Sequence, residues 1–334
     1  MDRNELLTAL STVAPVVGSD GLVQFNQKTI STSDGIIGIQ YRYETPIMGS
    51  VLLPTLISVL SASVVPEVLI DVQDNEVVFK LGRAKYKSAL MPLVDFSLPV
   101  IKAPSILVDD ALRLALSIVA RSASMSDRTD ISGITIQRSE NKLFLYGTDG
   151  SVLVRSVVTL PKDAGNVFKQ AVILPEKFYT LLLKIGATSL SVSKTGELLG
   201  KGEGVSLYGS ALSGANSKQF EDLFTNYKQK MTMFPIPKGF VRCISRISLV
   251  GGDIQSSFDY VDGRLSMLVQ GEGFELRDSV KIDLGADSVK VSTGAKLVLR
   301  YLDVAERIGV SEKCIALDGP GLNVLIAVHG VEHD

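Results

Sequence analysis

The sequence predicts an α+β protein assembled from three similar modules, and three observations predict it. A cycle of helix, β-rich segment, second helix and closing hairpin recurs roughly every 110 residues, a long period for a sequence repeat. Each module offers two helices and six to eight short strand signals, so its helices cover only one face of its sheets and a two- or three-layer arrangement follows. Prolines cluster where the cycle restarts, in SLPVIKAPS around Pro99 to Pro104 and in MTMFPIPKG around Pro235 to Pro237, where they block helix and central-strand continuation. The modules therefore span residues 1–102, 103–228 and 229–334. Such repetition implies a solenoid or a ring.

The elements repeat in order. The first helices read NELLTALSTVAPVV, DDALRLALSIVARS and GFVRCISRISLV, and the second helices LLPTLISVLSAS, LPEKFYTLLLKIG and TGAKLVLRYLDVAERIG. The hairpins that close the modules read VLIDVQDNEVVFKLGRAKYKSALMP, SLSVSKTGELLGKGEGVSLYGSALS and CIALDGPGLNVLIAVHG. Between the helices, KTISTSDGIIGIQYRYE, GITIQRSENKLFLYGTDGSVLVRSVV and SSFDYVDGRLSMLVQGEGFELRDSVKID carry strand signals, with SDG, SEN, VDG and GEG as turns.

Composition excludes several classes. At 334 residues and 46% hydrophobic the chain can bury several cores, while 21% charged residues and a net charge of −2 exclude a disordered chain and a globally basic nucleic-acid binder. Val51 to Pro66 carries no charge, but it falls short of the ~20 apolar residues a membrane span needs. It reads as a buried helix. The start, MDRNELL, lacks a secretory pattern, and Cys243 and Cys314 make no disulfide framework, which fits a reducing cytoplasm. Trp is absent and aromatics are 6%, so stacking platforms for single strands are not expected.

Basic residues concentrate on helix faces. Arg113 and Arg121 share a stripe with Ser117, against Leu112, Ala115, Leu116 and Val119. Lys177 and Lys184 lie with Thr180 opposite Phe178, Leu181, Leu182 and Ile185. In the third module Arg242 and Arg246 share a face with Val241, Ile244 and Ile247 behind them, and Lys296, Arg300 and Arg307 line the second helix with Asp303 as the one acid. These nine residues, of the chain's 34 Lys and Arg, suit a duplex phosphate backbone read without base specificity; ordinary solvated faces of amphipathic helices are the plainer alternative. The first module breaks the pattern, with Glu5, Thr8, Thr55 and Ser58 on its stripes and only Arg3 basic.

Signs of catalysis are missing. There is no phosphate-binding GxxxxGK[ST] loop, and Gly200 to Gly204 reads as a turn. His329 and His333, the only histidines, sit at the tail without partners at ligand spacing, and Asp109–Asp110 reads as a helix start. No metal, cofactor or nucleophile–base set is expected.

The middle module, with ISGITIQRSENKLFLYGTDGSVLVRSVV, AVILPEKFYTLLLKI and LGKGEGVSLYGSALSGANSKQFEDLF, resembles the central domain of bacterial DNA polymerase III β subunits, the sliding clamps, which carry an ATDGHRLA-type loop. GRAKYKSALMPLVDFSLP in the first module is similar to the clamps' GRSRFSLSTLPAADFP-type segment; the third module matches mainly in layout. The shorter length and divergent ends suggest a phage-encoded or otherwise atypical member. The resemblance implies three clamp-like domains, two chains closing head to tail as a homodimer ring with helices inside, and a non-catalytic processivity factor in the cytoplasm of a bacterial cell or phage-infected host. Its partners would be double-stranded DNA, the replicative polymerase and the clamp loader, with no membrane.

Carried over residue by residue, the resemblance places a partner-peptide cleft at Thr148, Gly150, Ser151, Val152 and Leu153, with Phe220 and Glu221 at the next rim and Leu325, Ile326 and Val328 closing it. Ser151 and Val152 depart from the family's His-Arg, and AVHGVEHD departs from its MPMRL-like ending. The dimer contact would pair the strand around Tyr86 and Ser88 with Leu249 and Val250. Two other readings remain open: a three-domain structural or scaffold protein that does not encircle DNA, and an enzyme with its site at a module junction.

Overall fold

A computed structural model describes residues 1–93, 101–123, 132–161, 164, 167–228, 231–251, 254–284 and 288–330. Pro99 and His333 lie outside the described residues. In the first third, Asp2 caps α1 (Arg3–Val13) by accepting the Glu5 amide at 2.9 Å, and the helix buries Leu6, Ala9, Leu10 and Val13. Strands β1 (Leu22–Asn26), β2 (Thr29–Ser33), β3 (Gly38–Arg42) and β4 (Met48–Leu52) follow. Pro54 then sits in the first turn of α2 (Leu53–Ala62), which buries Leu53, Leu56 and Leu60. The uncharged stretch is thus a strand end and a packed helix, and no helix among the described residues is long and apolar enough to cross a membrane. A hairpin set, β5 (Leu69–Gln73), β6 (Glu76–Leu81) and β7 (Ala84–Ala89), closes this third.

The middle third runs β8 (Ser105–Leu107), α3 (Asp110–Ala120), β9 (Ile134–Ser139), β10 (Lys142–Thr148), β11 (Val152–Thr159), β12 (Val172–Leu174) and α4 (Glu176–Lys184). It continues with β13 (Ser189–Val192), β14 (Glu197–Lys201), β15 (Val205–Ser210) and a helix the sequence reading did not expect, α5 (Ser217–Lys228). The last third holds β16 (Phe234–Pro235), α6 (Lys238–Gly251), β17 (Gln255–Val261), β18 (Arg264–Gly271), β19 (Phe274–Lys281), β20 (Ser288–Gly294) and α7 (Ala295–Leu299). After these come β21 (Arg307–Val310), β22 (Cys314–Gly319), β23 (Leu322–Ala327) and β24 (His329–Gly330).

The stretch TGAKLVLRYLDVAERIG is not one helix. It is helical only over Ala295–Leu299, passes through turns, and becomes β21 by Arg307. Two local demands win over helix propensity. Tyr301 is fully buried with its hydroxyl on Ser122, and Ile308 pairs with Leu317 of β22 to bury its own side chain. Val241, expected behind the basic face of α6, is 37% exposed instead, while Phe240, Ile244 and Ile247 fill the core. The Pro235 joint is itself an edge strand, β16 pairing with β21, a position where a missing amide donor is tolerated.

Contacts divide the chain into two compact units. One comprises Met1–Asp109, Ala164–Val167 and Lys177–Ala211; its eight-stranded sheet runs β4-β1-β2-β3-β15-β14-β13-β8, beside the three-stranded sheet β5-β6-β7. Phe25, Phe79 and Phe178 are among its fully buried side chains. The other comprises Asp110–Asp163, Phe168–Glu176 and Leu212–Asp334; its eight-stranded sheet runs β12-β9-β10-β11-β23-β22-β21-β16, beside the five-stranded sheet β19-β18-β17-β20-β24. Phe224, Phe240, Phe258 and Tyr301 anchor that unit.

Candidate functional site

The second unit contains a cavity of about 220 Å³ walled by three elements: the β10–β11 turn with the start of β11, helix α5, and β22–β23. Of the residues expected there, Thr148, Gly150, Ser151, Val152, Leu153, Phe220 and Leu325 line it. The pairing of β11 with β23 explains the convergence, since it sets Leu153 opposite Leu325. Beneath the opening, Tyr146, Leu153, Phe220, Phe224, Cys314, Ala316 and Leu325 form one packed apolar cluster. Burial pushes the Cys314 thiol pKa up, which suits a wall residue rather than a nucleophile.

Three expected residues take other positions. Ile326 is fully buried and pairs with Val152, and Val328 lies past the end of β23; neither lines the cavity. Glu221 does not line it either. Its carboxylate accepts the Tyr146 hydroxyl at 2.9 Å and the Arg155 guanidinium at 2.7 and 2.8 Å. Arg155, whose side chain is 12% exposed, donates through Nε and Nη2 to Asn323 and lies 4.7 Å from the centre of the Phe224 ring. Burial, and next the Glu221 carboxylate, push the Tyr146 phenol above its usual range. This network fastens α5 to the sheet.

Leu223, Tyr227, Lys313, Cys314 and Ala327 also line the cavity and were not anticipated. A signal was present for two of them: Phe220, Leu223, Phe224 and Tyr227 recur at the i, i+3, i+4, i+7 spacing of an amphipathic helix. Nothing local marks Lys313 or Ala327, which arrive through long-range pairing of β22 with β23. A wider groove of about 640 Å³ opens beside the cavity and shares Leu223, Tyr227 and Lys313 with it.

The nine candidate phosphate-binding residues are more neutralised than their spacing implied. Lys177 is paired with Asp34, Arg121 with Asp303 at 2.6 Å, Arg246 with Asp278 at 2.6 Å, Arg300 with Asp149 at 3.1 Å and Arg307 with Asp318 at 3.5 Å. Arg307 stands on strand β21 rather than on a helix face, and Arg121 lies one residue past α3. The hydrogen bond from Arg121 holds the Asp303 carboxyl below its ordinary range. Lys184, Arg242 and Lys296 are exposed, and Arg113 is half-buried. At the positions expected to join two copies, Leu249 is 83% and Val250 46% exposed at the end of α6, while Ser88 is buried and Tyr86 stacks on Phe79 with ring centres 6.0 Å apart.

His329 sits on β24, opposite Ser292. Among the described residues no group of three His, Cys, Asp or Glu side chains is placed to hold a metal ion.

No protein-family model matches the chain, and no curated protein matches it. Solved structures do match, over nearly the whole length. The DNA polymerase sliding clamp from Bacillus subtilis superposes with a TM-score of 0.83 at 18% identity, covering 99% of this chain and 98% of that one. The Helicobacter pylori β clamp, bound to a DNA ligase peptide, gives 0.82 at 15% identity over 99% of both chains. The Caulobacter crescentus β sliding clamp gives 0.82 at 16% identity, covering 99% of this chain and 98% of that one. The fold is that of the bacterial β sliding clamps.

Proposed function

We propose that this chain is a DNA sliding clamp: two copies close head to tail into a ring that encircles duplex DNA and tethers a replicative polymerase without catalysing a reaction. The observation that carries the reading is the division of strands among sheets. Among the described residues two sheets have eight strands each, and the other two have five and three, together the same number. Each of the smaller sheets ends in an edge strand without a second partner among the described residues, β7 on one and β19 on the other. Open edges of this kind pair with another chain. Joining β7 of one copy to β19 of the next would complete a third eight-stranded sheet at each subunit junction and bring exposed Leu249 and Val250 towards the strand of Tyr86 and Ser88.

The contact is heterologous, so it closes only if the rotation does, and two copies of three modules (1–102, 103–228 and 229–334) make six repeats. A closed ring holds DNA by topology, and a polymerase docked in the cleft rebinds its primer end at high effective concentration. The cavity suits an extended peptide with apolar anchors, from the polymerase or from the clamp loader. Exposed Lys184, Arg242 and Lys296, with Arg113, are candidate phosphate contacts; Arg121, Lys177, Arg246, Arg300 and Arg307 would first have to leave a carboxylate.

Solution mass with particle imaging tests the assembly. Twice the 35.9 kDa chain mass with a central hole is expected. A monomer, or an open filament, contradicts the ring and returns the scaffold reading.

A further inference from the structure

We infer that Arg300 is a positioning residue of the cleft, acting through Asp149 on the turn that forms one of its walls. The inference rests on reading the 220 Å³ cavity as the docking cleft. Asp149 divides its two carboxylate oxygens between two tasks. Oδ1 accepts the backbone amides of Ser151 at 3.0 Å and Val152 at 2.8 Å, fixing the two residues that line the cavity. Oδ2 accepts Arg300 Nη1 at 3.1 Å. The same nitrogen donates to the Arg121 carbonyl at 2.9 Å and lies 3.4 Å from Ser122 Oγ. Arg121 answers by donating to the Arg300 carbonyl at 2.6 Å and to both oxygens of Asp303. The end of α3 and the end of α7 are therefore tied together, and their joint grip on the cleft turn is the Arg300–Asp149 pair.

The first unit contains the same device with a different cation. Asp34 accepts the amides of Ile36 at 2.9 Å and Ile37 at 2.8 Å on Oδ1 and pairs Oδ2 with Lys177. The Gly35 amide donates to Ser33 Oγ at 3.0 Å just as the Gly150 amide donates to Thr148 Oγ1 at 3.1 Å. A carboxylate that caps a turn orients better when a fixed cation holds its second oxygen, because a charge-assisted bond resists rotation of the carboxylate out of the turn. The lysine version shows that the charge suffices in one turn. The further contact of Arg300, to the Arg121 backbone carbonyl, is what the cleft turn adds.

The experiment uses the full chain. Amide hydrogen exchange at Ser151 and Val152 is measured in the wild type, Arg300→Gln, Arg300→Lys, Asp149→Asn and the double variant Arg300→Gln/Asp149→Asn, with Ile36 and Ile37 as the internal control. Arg300→Gln is expected to speed exchange at Ser151 and Val152 about tenfold, the loss a charge-assisted hydrogen bond allows, while Ile36 and Ile37 keep their rates. Arg300→Lys restores most of the protection, and Arg300→Gln adds little once Asp149 is Asn. Binding of a labelled, extended peptide with apolar anchors weakens in parallel. Unchanged exchange at Ser151 and Val152 in Arg300→Gln overturns the inference, as does an equal rise at Ile36 and Ile37, which would mark general destabilisation. A wild-type chain with no affinity for the peptide overturns the cleft reading instead, and the exchange result stands or falls without it.

Discussion

Two turns in this chain are built alike, and one of them walls a cavity. Ser33-Asp34-Gly35 joins β2 to β3, and Thr148-Asp149-Gly150 joins β10 to β11. Gly35 and Gly150 hold φ of 87° and 89°, backbone angles that L side chains rarely adopt. Both turns lead into a strand that pairs with the next hairpin in the same register, Gly38 opposite Tyr208 in one and Leu153 opposite Leu325 in the other. Six residues beyond the aspartate the two diverge: Gln40 reaches Thr29 across the sheet at 3.4 Å, whereas Arg155 grips Glu221 of α5. At the first turn Ile36 is 73% exposed; at the second, α5 brings Phe220, Leu223 and Tyr227 over Leu153 to enclose a cavity. The turn is a scaffold. Enclosure of the cavity depends on the helix beside it and on the arginine that holds the helix down.

The largest break in this comparison is expected from Phe224→Ala, which removes a 1% exposed aromatic from the buried face of α5. It costs about 3 kcal/mol in urea unfolding and collapses peptide binding, as core Phe truncations do. Normal stability would mean α5 packs by other contacts. Next is Arg155→Gln, which gives the second strand the residue of the first. Because Glu221 is partly exposed, the cost is discounted to about 2 kcal/mol from that of a fully buried pair. Amide exchange should quicken in α5 and not in the first unit; equal quickening in both would contradict the network's local role.

A smaller effect concerns Asp34. Burial raises its pKa, but the Ile37 amide and Lys177 outweigh that and hold it below the ordinary carboxylate value. A depressed folded pKa means its stabilisation is present above the ordinary value and lost as pH falls through the folded one. Asp34→Asn should therefore cost about 1 kcal/mol at neutral pH, and the gap should close below about pH 4. Urea unfolding at pH 7, 5 and 3 checks this; a gap that stays constant contradicts it. Smallest of all is Ile36→Ser, which copies Ser151 onto an exposed position. It should change stability by less than about 0.5 kcal/mol and create no peptide binding. Gained binding would mean the turn alone makes the cleft.

What was legible in the sequence follows the range of the interactions. The α+β class, six of the seven α-helices among the described residues and the cleft turn come from local periodicity and from an Asp-Gly signal, which short windows capture. Helix α5 lies outside the two-helix repeat, and its apolar positions Phe220, Leu223, Phe224 and Tyr227 are set among polar residues, so its signal is weaker than that of the other helices. The overlong helix through Arg307 failed for the opposite reason: Tyr301 and Ile308 obey partners more than a hundred residues away or in a neighbouring strand. Pairing of the basic residues was equally invisible, since Asp34, Asp149, Asp278 and Asp318 meet their partners only in the folded chain. Spacing identifies a stripe. It does not say whether the stripe is already neutralised.

The ring itself is tested most directly by retention on DNA after loading. A threaded ring stays on circular duplex DNA at moderate salt and runs off when that DNA is linearised, because nothing but topology holds it. Equal retention on circular and linear DNA, with a steep loss on raising salt, would show ordinary surface binding and contradict the account.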